Sequence, residues 1–162
     1  MTWRYELTSE PSYAPAESSL PLEKIEIDAL FLANSVEIRE GLLFVLGGAW
    51  SRCWPPDGAF PFTYPLNVAA IFRIPYHDTN TDHPFEISVR DADERELARA
   101  AGAFKVGREA DLTQGMSQLI ALGGTTPVKL EAPGIYHISL VVDGVEAKRI
   151  AFEVLQRQPA RR

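Results

Sequence analysis

Cysteine and long hydrophobic runs are the two features that this sequence has least of. Cys53 is the single cysteine, which excludes an intrachain disulfide, and the first residues lack the apolar run of a signal peptide. The sequence therefore predicts a cytoplasmic protein. Its longest apolar segments, such as "GLLFVLGGAW" from Gly41 to Trp50, are much shorter than the roughly 20 residues that span a bilayer. No association with a membrane is expected.

Basic residues are also in short supply. Sixteen Lys and Arg residues against 22 Asp and Glu residues give a net charge of −6, which argues against nucleic-acid binding because that binding depends on Lys and Arg. The one basic cluster, "RQPARR" at residues 157–162, predicts a solvated C-terminal tail. Residues 1–23 contain three prolines among Ser, Glu and Ala, and they predict an irregular or mobile N-terminal arm. Residues 24–156 are then expected to form one domain.

What the sequence does contain is a series of strand patterns. In "PLNVAAIFRIPY" every second residue is apolar, which indicates a strand with one buried face, formed by Leu66, Val68, Ala70, Phe72 and Ile74. Alternation resumes after a polar stretch at Phe85, Ile87 and Val89. Two such strands joined by a polar connection predict an antiparallel hairpin.

Further strands are predicted at residues 25–32, 42–50, 96–106, 117–121 and 128–131. The glycine pairs at 47–48 and 123–124 predict bulges or bends in them. Residues 91–101 are compatible with a short helix, although we expect a turn followed by a strand. The clearest hairpin joins residues 136–142 to 150–154 through the turn Asp143-Gly144.

These patterns predict an all-β fold of about eight strands. Strands with one apolar face must stack as two sheets or close into a barrel. Tyr136 follows the turn Pro133-Gly134 at the start of a strand, where the corner tyrosine of immunoglobulin-like domains lies. We therefore predict an immunoglobulin-like antiparallel β-sandwich.

Several segments between residues 27 and 154 also resemble a known family. They are "IDALFLANSVEIREGLLFVLGGAW", "IFRIPYHDTNTDHPFEISVRDAD", "FKVGREADLTQG" and "LEAPGIYHISLVVDGVEAKRIAFEV". Together they are similar to a bacterial family of small β-sandwich domains of unknown function. Residues 93–95 depart from its pattern, because they read "DER" where an Asp-Gly turn is expected. The resemblance implies the sandwich fold, and it implies no activity or catalytic residues.

The stretch "YHDTNTDH", Tyr76 to His83, has the highest density of metal-ligand side chains. Its alternating Asp78, Asn80 and Asp82 match the opening of a calcium loop, but the Gly and Glu that complete such a loop are absent from the later positions. Zinc would have His77 and His83, together with Asp78 or Asp82, at a spacing unlike that of compact zinc sites. We therefore predict a solvent-exposed hairpin connection without a metal.

Two other features bear on function. The third histidine, His137, is predicted to face solvent on a strand, and no combination of acid, base and nucleophile can be assembled around it or Cys53. An aromatic segment at residues 50–64 could bind a sugar or a partner, or fold back onto the core. Its members are Trp50, Trp54, Phe60, Phe62 and Tyr64.

The sequence thus predicts a non-catalytic interaction or accessory module without a cofactor. Its partner would be another protein or a second copy of the chain. Two alternatives stay open at this point. One is a small-molecule or carbohydrate-binding domain that uses the aromatic segment 50–64, and the other is a metal-dependent enzyme that uses residues 77–83.

Overall fold

The computed structural model describes residues 24–156, which form nine strands and no α-helix. The predicted arm at residues 1–23 and the predicted tail at residues 157–162 lie outside this range. In chain order the strands are β1 (Glu26–Arg39), β2 (Leu42–Trp50), β3 (Arg52–Cys53), β4 (Phe62–Pro75), β5 (Asp82–Arg90), β6 (Glu96–Lys105), β7 (Ser117–Leu130), β8 (Gly134–Val142) and β9 (Val145–Val154).

The strands form two sheets, in the orders β2-β1-β4-β7 and β3-β9-β8-β5-β6. All neighbours are antiparallel except β3 and β9, which are parallel. Strands β1, β4 and β7 take the A, B and E positions of an immunoglobulin domain, and β9, β8, β5 and β6 take positions G, F, C and C′. The predicted immunoglobulin-like sandwich is confirmed. Strand β2 is an addition to it, outside position A.

The core lies between the sheets, where the alternating residues of β4 meet those of β8 and β9. All five apolar residues predicted on one face of β4 are less than 5% exposed. They face Ile138, Leu140 and Phe152 of the second sheet, which are also buried. The corner prediction is confirmed as well, because the hydroxyl of Tyr136 donates to the carbonyl of Ala132 at 2.7 Å.

One predicted pairing is wrong. Strand β4 pairs with β1 and β7, and β5 pairs with β6 and β8, so the connection between β4 and β5 crosses from one sheet to the other. Alternation identifies a strand with one buried face, but it does not say which sheet holds the strand. A connection between sheets therefore has the same sequence pattern as a hairpin turn.

Residues 117–121 and 128–131 also differ from expectation, because they are one continuous strand, β7, in unbroken register with β4. The predicted bend at Gly123-Gly124 is therefore wrong. Gly123 instead makes room for Val36, whose Cγ1 would lie 2.4 Å from a Cβ at that position. The predicted bulge at Gly47-Gly48 is present nearby. Ala33 pairs with Gly48 and the preceding Leu32 pairs with Trp50, so Ala49 is an extra residue in β2. The predicted turn and strand after residue 91 are confirmed, since β6 begins at Glu96.

The far half of the β1–β2 hairpin lies against the outer face of the first sheet. Val68 and Ala70 face the core, so Ala69 between them faces outward, yet it is fully buried. Gly123 pairs with Ala69, and Val36 of the hairpin lies over Gly123. One side of the hairpin is thus covered by its own sheet, and the other side faces solvent.

Candidate functional site

Three apolar side chains on the solvent side of the hairpin form a row, which we call the β2 edge row: Leu42, Phe44 and Leu46. Their exposed fractions are 63%, 50% and 70%. They lie on one face because they alternate along β2, which follows a two-residue turn at Glu40-Gly41 with φ values of 50° and 77°. Isolated exposed leucines are ordinary on protein surfaces, but a contiguous apolar row is a mark of interaction sites.

The two long sides of the row are different. On one side it is bordered by β1, where Leu46 pairs with Ser35 and Phe44 with Glu37. There the Arg39 Nε donates to the Glu37 carboxylate at 2.8 Å. On the other side the row ends at the free edge of the sheet, because within residues 24–156 β2 pairs with β1 alone.

The backbone along this free edge has hydrogen-bonding capacity to spare. Residues Arg39 and Leu42 close the two-residue turn and so form a hydrogen-bonded pair, and such pairs alternate along an antiparallel ladder. Phe44 and Leu46 therefore bond to β1. The N–H and C=O groups of Leu43 and Val45 point to the free side, where a further strand can bond to them.

The other sheet edges carry features that discourage pairing, and β2 does not. Strand β7 has Pro127 and Lys129, β6 has Arg99 and Lys105, and β3 is only two residues long. Prolines, charges and short length are the usual means by which edge strands avoid association. The segment "LLFVL" at residues 42–46 contains none of them.

The "YHDTNTDH" connection is built around His83, which is 4% exposed. Its Nε2 lies 2.8 Å from the carbonyl oxygen of Asp78, and its Nδ1 lies 2.9 Å from the carboxylate of Asp143 in the β8–β9 turn. A carbonyl only accepts, so Nε2 carries a proton. Burial alone lowers the pKa of His83, but the bonds to Asp78 and Asp143 outweigh it and raise the pKa above its ordinary value.

This arrangement leaves His83 without a free nitrogen for a metal. Asp82 pairs with Lys105 at 3.9 Å, and His77 Nε2 lies 3.8 Å from the carboxylate of its neighbour Asp78. His137 is in β8, where its partners are Arg90 and Ala151 rather than residues of the connection. Among residues 24–156 no three His, Cys, Asp or Glu side chains are grouped as metal ligands.

The connection is not wholly solvent-exposed as predicted, because Thr79 and His83 are buried. Arg108 anchors the first half of the connection, Tyr76 to Thr79. The guanidinium lies 3.7 Å from the ring centre of Tyr76 and donates to the Thr79 hydroxyl at 2.8 Å and to the Tyr76 carbonyl at 3.1 Å. Sequence reasoning missed the contacts of Arg108 and Asp143 with this connection, because both residues come from segments distant in the chain.

The aromatic segment divides into a packed part and an exposed part. Trp50, Phe60, Phe62 and Tyr64 pack against the core, with edge-to-face ring contacts at 5.4–6.2 Å between centroids. Trp54 is 50% exposed. The structure therefore places four of the five predicted aromatics largely within the fold, where they supply packing.

Trp50, Trp54 and Tyr64 also line a shallow hollow of about 450 Å³, together with Asn34, Arg52 and Cys53. The buried Nε1 of Trp50 has no hydrogen-bond partner among the described residues. Burial raises the pKa of Cys53 to about 11, so its thiol is protonated and unreactive at neutral pH. The hollow thus offers aromatic faces to a ligand, and no nucleophile.

A second cavity, of about 210 Å³, opens between the sheets near β6 and β7. Small residues on both strands leave this space unfilled. Ala100 of β6 and Gly124 of β7 line the cavity, and a Cβ added at Gly124 would have no atom within 4 Å. Phe85, Ile87 and Leu122 contribute to an apolar lining that contains no charged side chain. The run of Ala and Gly in β6 was the one sequence feature that could have indicated this cavity, but the alternation of apolar residues does not reveal it.

Within residues 24–156 no helix is long and apolar enough to cross a membrane.

Comparison with known proteins shows what the chain is similar to. None of the curated proteins matches the chain. Among solved structures, an immunoglobulin-like protein from Pseudomonas aeruginosa is similar over 82% of this chain and 98% of its own, with 8% identity and a TM-score of 0.38. A family of unknown function, DUF6941, matches residues 28–155, a range that includes most of β1 and all of β2 to β9, and the chain therefore belongs to DUF6941.

Proposed function

We propose that the chain is a non-catalytic interaction module of the bacterial cytoplasm and that the β2 edge row is its contact surface. One observation carries the proposal: Leu42, Phe44 and Leu46 are at least half exposed in a row beside a free sheet edge. Exposing such a row to water is unfavourable, by about 25 cal/mol for each Å² of apolar surface. A partner that covers the row recovers this free energy.

The absence of catalysis is supported by how the reactive side chains are used. His83 is held at both ring nitrogens, and Cys53 is a buried thiol with a pKa of about 11. Neither group is available as a base or nucleophile. The single buried thiol also supports a reducing compartment such as the cytoplasm.

Site-specific photocross-linking tests the contact surface. A benzophenone amino acid is placed at Leu46 and, in a matched control, at Leu119, which is 55% exposed on the opposite edge strand β7. In living cells we expect a discrete cross-linked product from position 46 and none from position 119. Equal patterns from both positions, or no product from position 46, would contradict the proposal.

A second candidate function is the binding of a carbohydrate in the hollow beside Trp54. It is favoured by the exposed face of Trp54 beside this hollow, since sugars bind to aromatic faces. A thermal-unfolding screen of sugars measures it, because a ligand at 100 times its Kd adds about 2.7 kcal/mol to stability. Trp54→Ala should abolish any shift and Met116→Ala, equally exposed on another surface, should preserve it.

A further inference from the structure

We propose that the partner at the β2 edge is a second copy of this chain, paired antiparallel through β2 about a two-fold axis at Phe44. The proposal rests on the function proposed above and specifies its occupant. The pairing would join two four-stranded sheets into one continuous sheet of eight strands. An edge that pairs with its own copy in this way is isologous and closes after two chains.

The backbone limits which registers are possible. Leu43 and Val45 have the outward N–H and C=O groups, so each must lie opposite an outward-facing residue of the other copy. A two-fold axis at Leu43, Phe44 or Val45 satisfies this condition. The axis at Phe44 places Leu43 of each copy opposite Val45 of the other.

The side chains choose among these registers. With the axis at Phe44, the two Phe44 residues face each other, and Leu42 of each copy faces Leu46 of the other. An axis at Leu43 would set Leu46 against Glu40, and an axis at Val45 would set Leu42 against Gly48. Only the axis at Phe44 gives every member of the β2 edge row an apolar partner, and such pairs stabilise sheets.

The exposed area and the charges are consistent with self-pairing. The exposed apolar residues of β2 that pairing would cover, Leu42, Phe44, Val45 and Leu46, expose roughly 400 Å² per copy. Two copies bring roughly 800 Å², to which the paired backbone adds, and weak specific interfaces are of the order of 1,000 Å². Arg39 and Glu37 neutralise each other on the β1 side of the row, so this ion pair adds no net charge beside the contact.

Molecular mass in solution is the first test. By light scattering the purified chain should have twice its 18.0 kDa mass and dissociate on dilution. Leu46→Lys should weaken the dimer by about 100-fold or more, because the two-fold axis places two lysines in the contact. Leu119→Lys is the matched control and should leave the dimer unchanged. Circular dichroism confirms that both variants fold.

Disulfide trapping tests the register. The two copies of residue 44 would be about 4.5 Å apart at Cα, which a disulfide can bridge, whereas the two copies of residue 45 would be about 8 Å apart. Phe44→Cys should therefore cross-link on mild oxidation, and Val45→Cys should not. Cys53 is buried, so the parent serves as the uncross-linked control.

The outcomes separate this proposal from the one on which it rests. A parent that is monomeric at every concentration, while position 46 cross-links to a different protein in cells, overturns self-pairing and leaves the interaction module standing. Cross-linking of position 46 to residues 1–23 of its own chain overturns both. A dimer that Leu46→Lys does not weaken, or that cross-links through Val45→Cys rather than Phe44→Cys, overturns the proposed pairing.

Discussion

The β1–β2 and β8–β9 hairpins have nearly the same local structure and opposite surroundings. Each closes through a two-residue turn with positive φ, 50° and 77° at Glu40-Gly41 and 51° and 79° at Asp143-Gly144. Each carries an alternating apolar row. In β8 the row is buried in the core, whereas the β2 edge row is exposed. Local sequence therefore determines that a hairpin forms, and the rest of the fold determines whether its apolar face is used internally or is left for a partner.

The largest difference between the hairpins should appear on truncating one leucine in each. Leu140→Ala removes a fully buried side chain and should lower the free energy of unfolding by about 2–5 kcal/mol. Leu46→Ala, 70% exposed, should cost about 0.5 kcal/mol or less. Urea unfolding at high dilution, where any dimer has dissociated, gives both values. Similar costs would show that the β2 edge row is buried within its own chain.

The next difference lies in the anchoring of the turns, because His83 holds the β8–β9 turn through Asp143. The pKa of His83 is raised in the folded state, so its contribution is fully present below its ordinary pKa of about 6.5 and is lost as pH rises through the raised value. Asp143→Asn should cost about 1.5 kcal/mol near pH 6, a modest figure because 47% of the Asp143 side chain is exposed.

Near pH 9 the neutral imidazole no longer donates from Nδ1, whereas an amide at position 143 can donate to it, so the Asp143→Asn variant should become at least as stable as the parent. Unfolding measured at both pH values checks this. A cost for Asp143→Asn that is the same at low and high pH would mean that His83 does not titrate in this range.

The turns themselves should prove equivalent. Gly41 and Gly144 have φ values of 77° and 79°, and neither has an atom within 4 Å of an added Cβ, so alanine meets only backbone strain. Gly41→Ala and Gly144→Ala should each cost about 1–2 kcal/mol. Thermal unfolding of the two variants compares them. If the two variants lose stability by amounts that differ by more than about 2 kcal/mol, one of the turns depends on contacts beyond its own backbone.

A smaller effect than at the turns is expected at the corner that fixes the start of β8. Tyr136→Phe removes the hydroxyl that donates to Ala132 and should lower stability by about 1 kcal/mol, while the stacked ring contact with Phe152 remains. Chemical denaturation against the parent measures the change. A Tyr136→Phe variant as stable as the parent would show that the corner does not help to anchor β8 and β9.

Sequence reasoning succeeded where the determining contacts are local. The buried face of β4, the Asp143-Gly144 hairpin and the Tyr136 corner each follow from residues within one or two strands. It failed on the β4–β5 connection, since sheet assignment depends on pairing between strands distant in the chain, such as that of β5 with β8. The same limit applies to the candidate site, because nothing in "LLFVL" distinguishes an exposed edge strand from a buried one.

The order of the first sheet has a consequence for folding kinetics. Strand β4 lies between β1 and β7, and its ladder to β7 joins residues as far apart as Phe62 and Leu130, a separation of 130 − 62 = 68 positions. Chains dominated by such non-local contacts fold in about milliseconds to seconds, whereas a hairpin such as β1–β2 forms in roughly 1–10 μs. The β1–β2 hairpin therefore forms long before the sandwich does, and the apolar side chains of β2 are exposed throughout folding. Refolding yield should accordingly fall as chain concentration rises, and rapid dilution favours recovery of the native protein.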